Sequence, residues 1–119
     1  MRFMMIMLPE VYRGPTPSDF KPDPEAVAKM GRFNEEMQKA GVLLTLDGLT
    51  PPSAGARVSF AGGAATVADG PFEGVKDVVG GYWMIQVNSR QEAIEWAKRC
   101  PAGANDVIEI RQVFEAADF

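Results

Sequence analysis

Histidine is absent from this sequence of 119 residues, and cysteine occurs only once, as Cys100. The missing histidines exclude Ser-His-Asp and Cys-His catalytic arrangements and remove the commonest general base and metal ligand. A zinc site would depend on Cys100 and carboxylates, an improbable set of ligands, so we predict neither a metal nor a cofactor. Because one cysteine cannot form an internal disulfide, we expect the protein in a reducing cytoplasm.

The sequence also has no excess of basic residues and no long apolar run. The 16 acidic residues outnumber the 12 basic ones, which gives a net charge of −4 and argues against direct nucleic-acid binding. No apolar run is long enough to cross a membrane. Residues 1–8 are not expected to be a signal peptide, because they lack a small-residue cleavage site and end abruptly at Pro9-Glu10. The length predicts one domain, 1–119, with a small core that dimerisation would help to stabilise.

The hydrophobic pattern predicts a mixture of strands and helices. In chain order the predicted elements are strand 2–8, a helix that begins at Pro24 and ends at Gly41, strand 42–46, a hairpin of 57–60 and 64–67 around Gly62-Gly63, strand 80–87, a helix from Ser89 to about Arg99, and strand 107–114. Without the hairpin this order is βαββαβ, the ferredoxin-like split βαβ unit. We therefore predict an α+β fold with two helices on one sheet face, and we leave the position of the hairpin open.

Both helices carry start signals. Asp23 is a typical N-cap before Pro24, and Ser89 with Glu92 forms a capping box. Cys100 follows the second helix, where the helix dipole does not favour a thiolate, so we expect it to pack rather than to react. The first helix has an apolar stripe that we expect to pack in the core. The members of this stripe are Val27, Met30, Phe33, Met37 and Ala40.

The first strand, 2–8, is almost continuously apolar. A strand that is buried on one face alternates, so this pattern predicts that both faces are covered. Helices would cover one face, and a partner chain or a ligand cavity would cover the other. The next segment, 9–22, contains four prolines and is longer than the usual connection. We interpret it as a solvated loop, with a flap over a cleft as the alternative.

The sequence Asp69-Gly70-Pro71-Phe72 lies between the hairpin and the strand at 80–87. Asp can bond to its own backbone, Gly can adopt a positive φ, and Pro fixes φ and removes a donor, so a tight turn is predicted. Phe72 is then a large apolar side chain on a loop and needs a cover. The local chemistry alone favours a tight connection against which the aromatic ring of Phe72 packs.

Further stretches accompany this motif. They are Glu73-Gly74-Val75-Lys76-Asp77, Gly80-Gly81-Tyr82, Glu92-Ala93-Ile94-Glu95-Trp96-Ala97, Cys100-Pro101 and Ile108-Glu109-Ile110-Arg111, with Phe33-Asn34-Glu35-Glu36-Met37, Lys39-Ala40-Gly41-Val42-Leu43, Gly48-Leu49 and Pro51 in the N-terminal half. Over nearly the whole chain these stretches resemble the YCII-related family, and within it the subgroup named for its Asp-Gly-Pro-Phe (DGPF) motif. The resemblance implies a homodimer in which two sheets pair face to face as a dimeric α+β barrel.

The resemblance also bears on function. Some members of the broader family look like enzymes built on a His with an Asp, and one of them acts as a dehydrochlorinase on a chlorinated hydroxyhydroquinone. This chain has no histidine, and Lys29, which lies near the place of the family's first-helix His, is not an equivalent base without a strong pKa shift. The subgroup is often found beside or fused to extracytoplasmic-function sigma factors. That association implies a role in transcription control through protein or small-molecule contacts.

The candidate site is a cleft between the open sheet face and the motif loop. Asp69 is the candidate acid or base, partly desolvated beside Phe72, unless it accepts N–H groups of its own turn. Lys76 is the candidate that would hold an anion or pair with Asp69, unless it is solvated. Glu109 and Arg111 share one strand face, where an ion pair within or between subunits is the alternative. The candidate ligand-binding residues are Gly70, Pro71, Phe72, Tyr82, Glu109 and Arg111, with Asp77 as a further polar group.

Three hypotheses of function follow. The first is a dimeric cytoplasmic module that binds a small molecule or regulates, in connection with sigma-factor-dependent transcription. The second is a histidine-free lyase or dehydrochlorinase that acts on a small aromatic or anionic substrate with Asp69 as acid or base. The third is a partner protein for a sigma factor, with Phe72 and the 9–22 loop as its contact surface. We favour the first, because histidine is missing, the charge is acidic and one sheet face is apolar.

Overall fold

A computed structural model describes residues 1–119 and contains a four-stranded sheet, a separate two-stranded hairpin and two α-helices. The elements are β1 (Arg2–Leu8), α1 (Pro24–Lys39), β2 (Leu43–Gly48), β3 (Ala56–Ser59), β4 (Thr66–Asp69), β5 (Gly81–Gln86), α2 (Arg90–Lys98) and β6 (Val107–Gln112). Short 3₁₀ turns lie at Glu10–Arg13, Pro52–Ala54, Ala61–Gly63 and Ala116–Asp118. The predicted elements are all present, and their boundaries differ from the prediction by at most two residues.

The strand order of the main sheet is β2-β5-β1-β6, and every neighbouring pair is antiparallel. This order, with two helices that pack on one face, is that of the ferredoxin-like βαββαβ unit, and the predicted α+β fold is confirmed. The hairpin of β3 and β4 forms a sheet of its own and joins neither edge of the main sheet. Its position, which the sequence left open, is therefore outside the βαββαβ core.

Both predicted N-cap residues accept the backbone hydrogen bond that is typical of an N-cap. The carboxylate of Asp23 accepts a hydrogen bond from the N–H of Glu25 at 3.3 Å, and the Ser89 hydroxyl accepts one from the N–H of Glu92 at 3.1 Å. The second half of the capping box differs from expectation, because the Glu92 carboxylate accepts the N–H of Asn88 at 2.9 Å instead of the N–H of Ser89. Helix α1 ends before Gly41, which has a φ of 75°. Glycine adopts such a positive φ at no steric cost because it has no Cβ.

The core lies between the helices and one face of the sheet. Alternate residues of β1 and β5 point into it, and they are Phe3, Met5, Met7, Trp83 and Ile85. Phe33 and Met37 enter from α1, and Ala93 enters from α2. The indole N–H of Trp83 donates to the side-chain carbonyl of Asn34 at 2.8 Å, so its one polar atom is satisfied in the core.

Two predictions about burial are only partly right. The apolar stripe of α1 is buried at Phe33 and Met37 and half-buried at Met30, but Val27 at its N-terminal end is 52 % exposed and Ala40 at its C-terminal end is exposed as well. In β1 the face that carries Met4 and Ile6 is only half-buried, so a single chain covers one face of this strand and not both. The opposite face of the sheet is therefore open, and the surface around Met4, Ile6 and Met84 is called the open face below. Neither helix is both long enough and apolar enough to cross a membrane.

Candidate functional site

The motif loop is held against the turn at Pro52–Gly55. The N–H of Gly70 donates to the carbonyl oxygen of Gly55 at 2.9 Å, and a Cβ at Gly70 would overlap the carbonyl oxygen of Pro52. Only glycine allows the backbone to approach so closely. The peptide bond between Gly70 and Pro71 is cis. Phe72 follows as a half-buried ring, and the guanidinium of Arg57 lies 4.3 Å from its centroid.

The segment that follows β1 is folded against the body. Tyr12 is buried, its hydroxyl donates to the carbonyl oxygen of Leu49 at 2.8 Å, and burial raises its pKa. Thr16 is buried as well and donates to the carbonyl oxygen of Val11 at 2.7 Å. The Ser53 hydroxyl in turn donates to the carbonyl oxygen of Thr16 at 2.7 Å. The interpretation of 9–22 as a solvated loop is wrong at Tyr12 and Thr16, which are buried and bonded to Leu49 and Ser53, whereas Arg13, Gly14 and Pro15 between them are exposed.

A pocket of about 270 Å³ lies where these two loops meet. One wall is formed by residues 12–16 and the other by residues 71–75, while Pro52, Ser53 and Val78 complete the lining. Its only charged lining residues are Arg13 and Glu73. The pocket can therefore accept a compact molecule with an apolar body and a single polar group, because its walls offer carbon surface and a few hydroxyl and charged groups.

A second cavity, of about 600 Å³, lies on the other side of Tyr12. Apolar side chains dominate its lining, and its charged residues are Glu10, Asp23 and Asp106. Each of these carboxylates already accepts a hydrogen bond from the chain. No group of three cysteine, aspartate or glutamate side chains is arranged so that it could hold a metal ion.

The predicted residues of the motif loop lie at or beside the first pocket. Pro71 and Phe72 line it, and Gly70 fixes the loop that carries them. Asp69 and Lys76 are exposed and are not part of its lining. The Asp69 carboxylate accepts no hydrogen bond, so it does not cap its own turn. Asp77, the further polar group, is also exposed.

The remaining predicted residues lie on the open face of the sheet. Glu109 is opposite Ile6 and Arg111 is opposite Met4 in the register of β1 and β6. A guanidinium nitrogen of Arg111 lies 3.3 Å from a carboxylate oxygen of Glu109, so the two residues form the intrachain ion pair that was the alternative to a ligand site. The single chain thus divides the predicted residues into a motif-loop group and an open-face group.

Tyr82 belongs to the open-face group and is paired across strands. Its hydroxyl donates to the carboxylate of Asp47 at 2.9 Å, and this hydrogen bond is the main cause that raises the pKa of Tyr82. Asp47 was not predicted, because the predicted strand ended at Leu46 whereas β2 continues to Gly48. Tyr12, Thr16 and Ser53 were also missed, and the unusual length of the 9–22 loop was the one signal that could have found them.

Cys100 gives a prediction that is independent of the pocket. Burial raises the pKa of its thiol to about 11, with a further contribution from Asp106, and its sulfur lies 3.8 Å from the sulfur of Met30. Only the thiolate is nucleophilic, so at pH 8 we expect iodoacetamide to alkylate Cys100 about 100-fold more slowly in the folded protein than in urea. Mass spectrometry of quenched samples measures both rates. Equal rates would contradict a packing role for Cys100.

Comparison with known proteins is informative at the level of the family. A family model described as the YCII-related domain matches residues 1–117. No curated protein matches the chain. The match includes the motif loop, both walls of the pocket and the whole open face, so the candidate site lies within the shared domain and not in an appended segment.

Proposed function

The chain belongs to the YCII-related family, and from this premise we propose that it is a homodimeric module that binds a small molecule in the pocket between the motif loop and residues 12–16. The observation that carries the proposal is the pocket itself, which lies between the motif loop and residues 12–16. Regulation, including the sigma-factor connection implied by the DGPF resemblance, would then depend on whether this pocket is occupied.

The size and lining of the pocket define the ligand class. A volume of about 270 Å³ is slightly below the range of about 300–1,000 Å³ that is usual for drug-sized ligands. Phe72, Val75 and Val78 supply apolar contact, and Arg13 and Glu73 supply one charge of each sign. We propose a ligand about the size of one substituted aromatic ring, with a polar group directed toward the charged edge.

The distribution of polar groups on the open face supports the homodimer. The two central strands, β1 and β5, contribute the apolar residues Met4, Ile6 and Met84. The polar pairs lie toward the two edges, because Tyr82 of β5 bonds to Asp47 of the edge strand β2, and Arg111 pairs with Glu109 on the edge strand β6. An apolar centre with a polar rim is the usual anatomy of a protein–protein interface. Two copies that meet through this face would form the α+β barrel implied by the resemblance.

The ligand proposal is tested first by native mass spectrometry of the purified protein, which reports the oligomer and any co-purified small molecule. Benzoate, benzylamine and benzyl alcohol then serve as probes in thermal unfolding, because they present one ring with a negative, a positive or a neutral polar group. A probe at tenfold its Kd is expected to stabilise the folded protein by about 1.4 kcal/mol.

Two phenylalanine variants show whether the stabilisation comes from the pocket. Phe72→Ala removes a ring that lines it, so we expect the probe effect to disappear. Phe114→Ala is the matched control, because Phe114 is 71 % exposed and lies outside the pocket, and we expect it to retain the effect. If the wild-type protein carries no adduct and no probe raises its unfolding temperature, the proposal fails.

A further inference from the structure

The hairpin, residues 56–69 and called the arm below, has an apolar face and a polar face. In its register Val58 is opposite Val67, and Ser59 is opposite Thr66 with the two hydroxyl oxygens 2.7 Å apart. Since side chains alternate along a strand, the two valines share one face and the two hydroxyls share the other. This alternation is typical of a hairpin that is packed on one side and solvated on the other.

Nothing in the same chain covers the apolar face of the arm. Val58 is 54 % exposed and Val67 is 70 % exposed. Phe60, which directly follows β3, is also 70 % exposed. Every residue of β3 and β4 is exposed, and the radius of gyration is 16.1 Å, against about 13.5 Å for a compact chain of this length, as expected if the arm projects from the body. A two-stranded hairpin on its own is marginal in water, so the arm needs a surface to pack on.

We propose that the apolar face of the arm packs against the rim of the open face of a second copy of the chain, along the edge strand β6 that carries Glu109 and Arg111. The inference rests on the homodimer of the proposed function and adds a reciprocal contact to it, in which the arm of each subunit contacts the sheet of the other. Closed two-fold dimers are the commonest homo-oligomers, and their symmetry would let both arms make the same contact.

The area of the open face favours a second copy that uses both surfaces. Four strands of about six residues cover roughly 20 Å by 19 Å, or about 400 Å², at the usual rise and spacing. A stable interface buries about 800 Å² per partner. The open face alone supplies about half of this area, and the arm is a further uncovered apolar surface of the same chain.

Charge complementarity supports the same contact. Asp69 pairs with Ala56 in the hairpin and lies on the Val67 face of β4, where it is exposed and its carboxylate has no hydrogen bond or ion pair within the chain. The Arg111 side chain on the open face is 71 % exposed and has one 3.3 Å contact with Glu109. An arm laid on the partner's open face brings an unpaired carboxylate toward an incompletely paired guanidinium. The dimer would thereby unite the two groups of residues that the single chain keeps apart.

The test compares two neighbouring residues of the arm that lie on opposite faces. Val67→Asp puts a charge into the proposed contact and is expected to raise the dimer dissociation constant by about 100-fold or more, because an isolated buried charge is costly. Ala68→Asp puts the same charge on the polar face and is expected to change the constant by less than about threefold. Sedimentation equilibrium measures the constant, and circular dichroism verifies that each variant is folded.

Met84→Asp separates this inference from the homodimer itself. If Met84→Asp and Val67→Asp both weaken the dimer and Ala68→Asp does not, the arm contact is supported. If Met84→Asp weakens the dimer and Val67→Asp does not, the homodimer stands and the arm contact is overturned. If the wild-type protein is a monomer, both proposals fail.

Disulfide trapping gives a second measurement that does not depend on a disruptive charge. In a Cys100→Ser background, one chain carries Val67→Cys and a differently tagged chain carries Glu109→Cys on the edge strand β6. Mild oxidation of the mixture is expected to link the two chains, whereas Ala68→Cys with Glu109→Cys is expected to give at least tenfold less product. Equal yields from the two pairs would overturn the arm contact.

Discussion

Replacing Phe33 with alanine is expected to lower the free energy of unfolding by about 3–5 kcal/mol, a large share of the stability of a domain of this size. Phe33 is 3 % exposed, and its ring meets those of Trp83 and Trp96 edge-on, at centroid distances of 6.0 and 6.5 Å. The truncation would remove both aromatic contacts and leave a cavity between α1 and the sheet. The surrounding side chains belong to different elements, so they cannot collapse into it fully.

Urea denaturation at one fixed protein concentration measures this loss, since the stability of a dimer depends on concentration. Val27→Ala is the control, because Val27 lies on the same helix and in the same apolar stripe but is 52 % exposed. We expect its effect to stay within about 0.5 kcal/mol. A loss at Phe33 no larger than the loss at Val27 would contradict the packing of α1 described above.

The contrast between Phe33 and Val27 shows how much of the fold the sequence predicts. Helical spacing correctly identifies the face of α1 that meets the sheet, because that face depends only on the 3.6-residue period. The same spacing cannot show where along the helix the sheet ends, because that depends on the lengths and register of four strands. Val27 therefore belongs to the stripe by its spacing and to the surface by its position.

The candidate site was predictable where its chemistry is local. A bend at Asp-Gly-Pro-Phe was predicted from the residues themselves, and Pro71 and Phe72 do line a pocket, but Gly70 does not adopt the positive φ that the prediction allowed for. The opposite wall was not predictable, because the bond from Ser53 to Thr16 joins residues that are 37 positions apart and depends on how two loops pack. Asp47 was missed for a related reason, because its pairing with Tyr82 depends on the register between two strands.

The second large effect is expected at Gly70, where alanine should lower the free energy of unfolding by about 3 kcal/mol, the upper end of the overpacking range. The added Cβ would overlap the carbonyl oxygen of Pro52, and the carbonyl carbon of that residue would be only 2.7 Å away. Both are backbone atoms and cannot rotate aside. That oxygen also accepts the N–H of Gly55 at 2.9 Å, so moving it breaks the turn that supports the motif loop.

Gly48→Ala is the matched control for Gly70→Ala, because no atom lies within 4 Å of a Cβ added there. The control is expected to be neutral or slightly stabilising, since alanine restricts the unfolded chain more than glycine does. Urea denaturation gives the stability of both variants, and hydrogen exchange of the amides of Gly55 and residue 70, which donate the bonds that hold the motif loop, reports whether the loop has detached. If Gly70→Ala unfolds at the same urea concentration as Gly48→Ala and its loop stays protected, the close approach to Pro52 is absent. If the loop loses protection while the main sheet keeps it, Gly70 is needed to hold the pocket wall in place and not to stabilise the core, because the strain is then confined to the loop that carries Phe72.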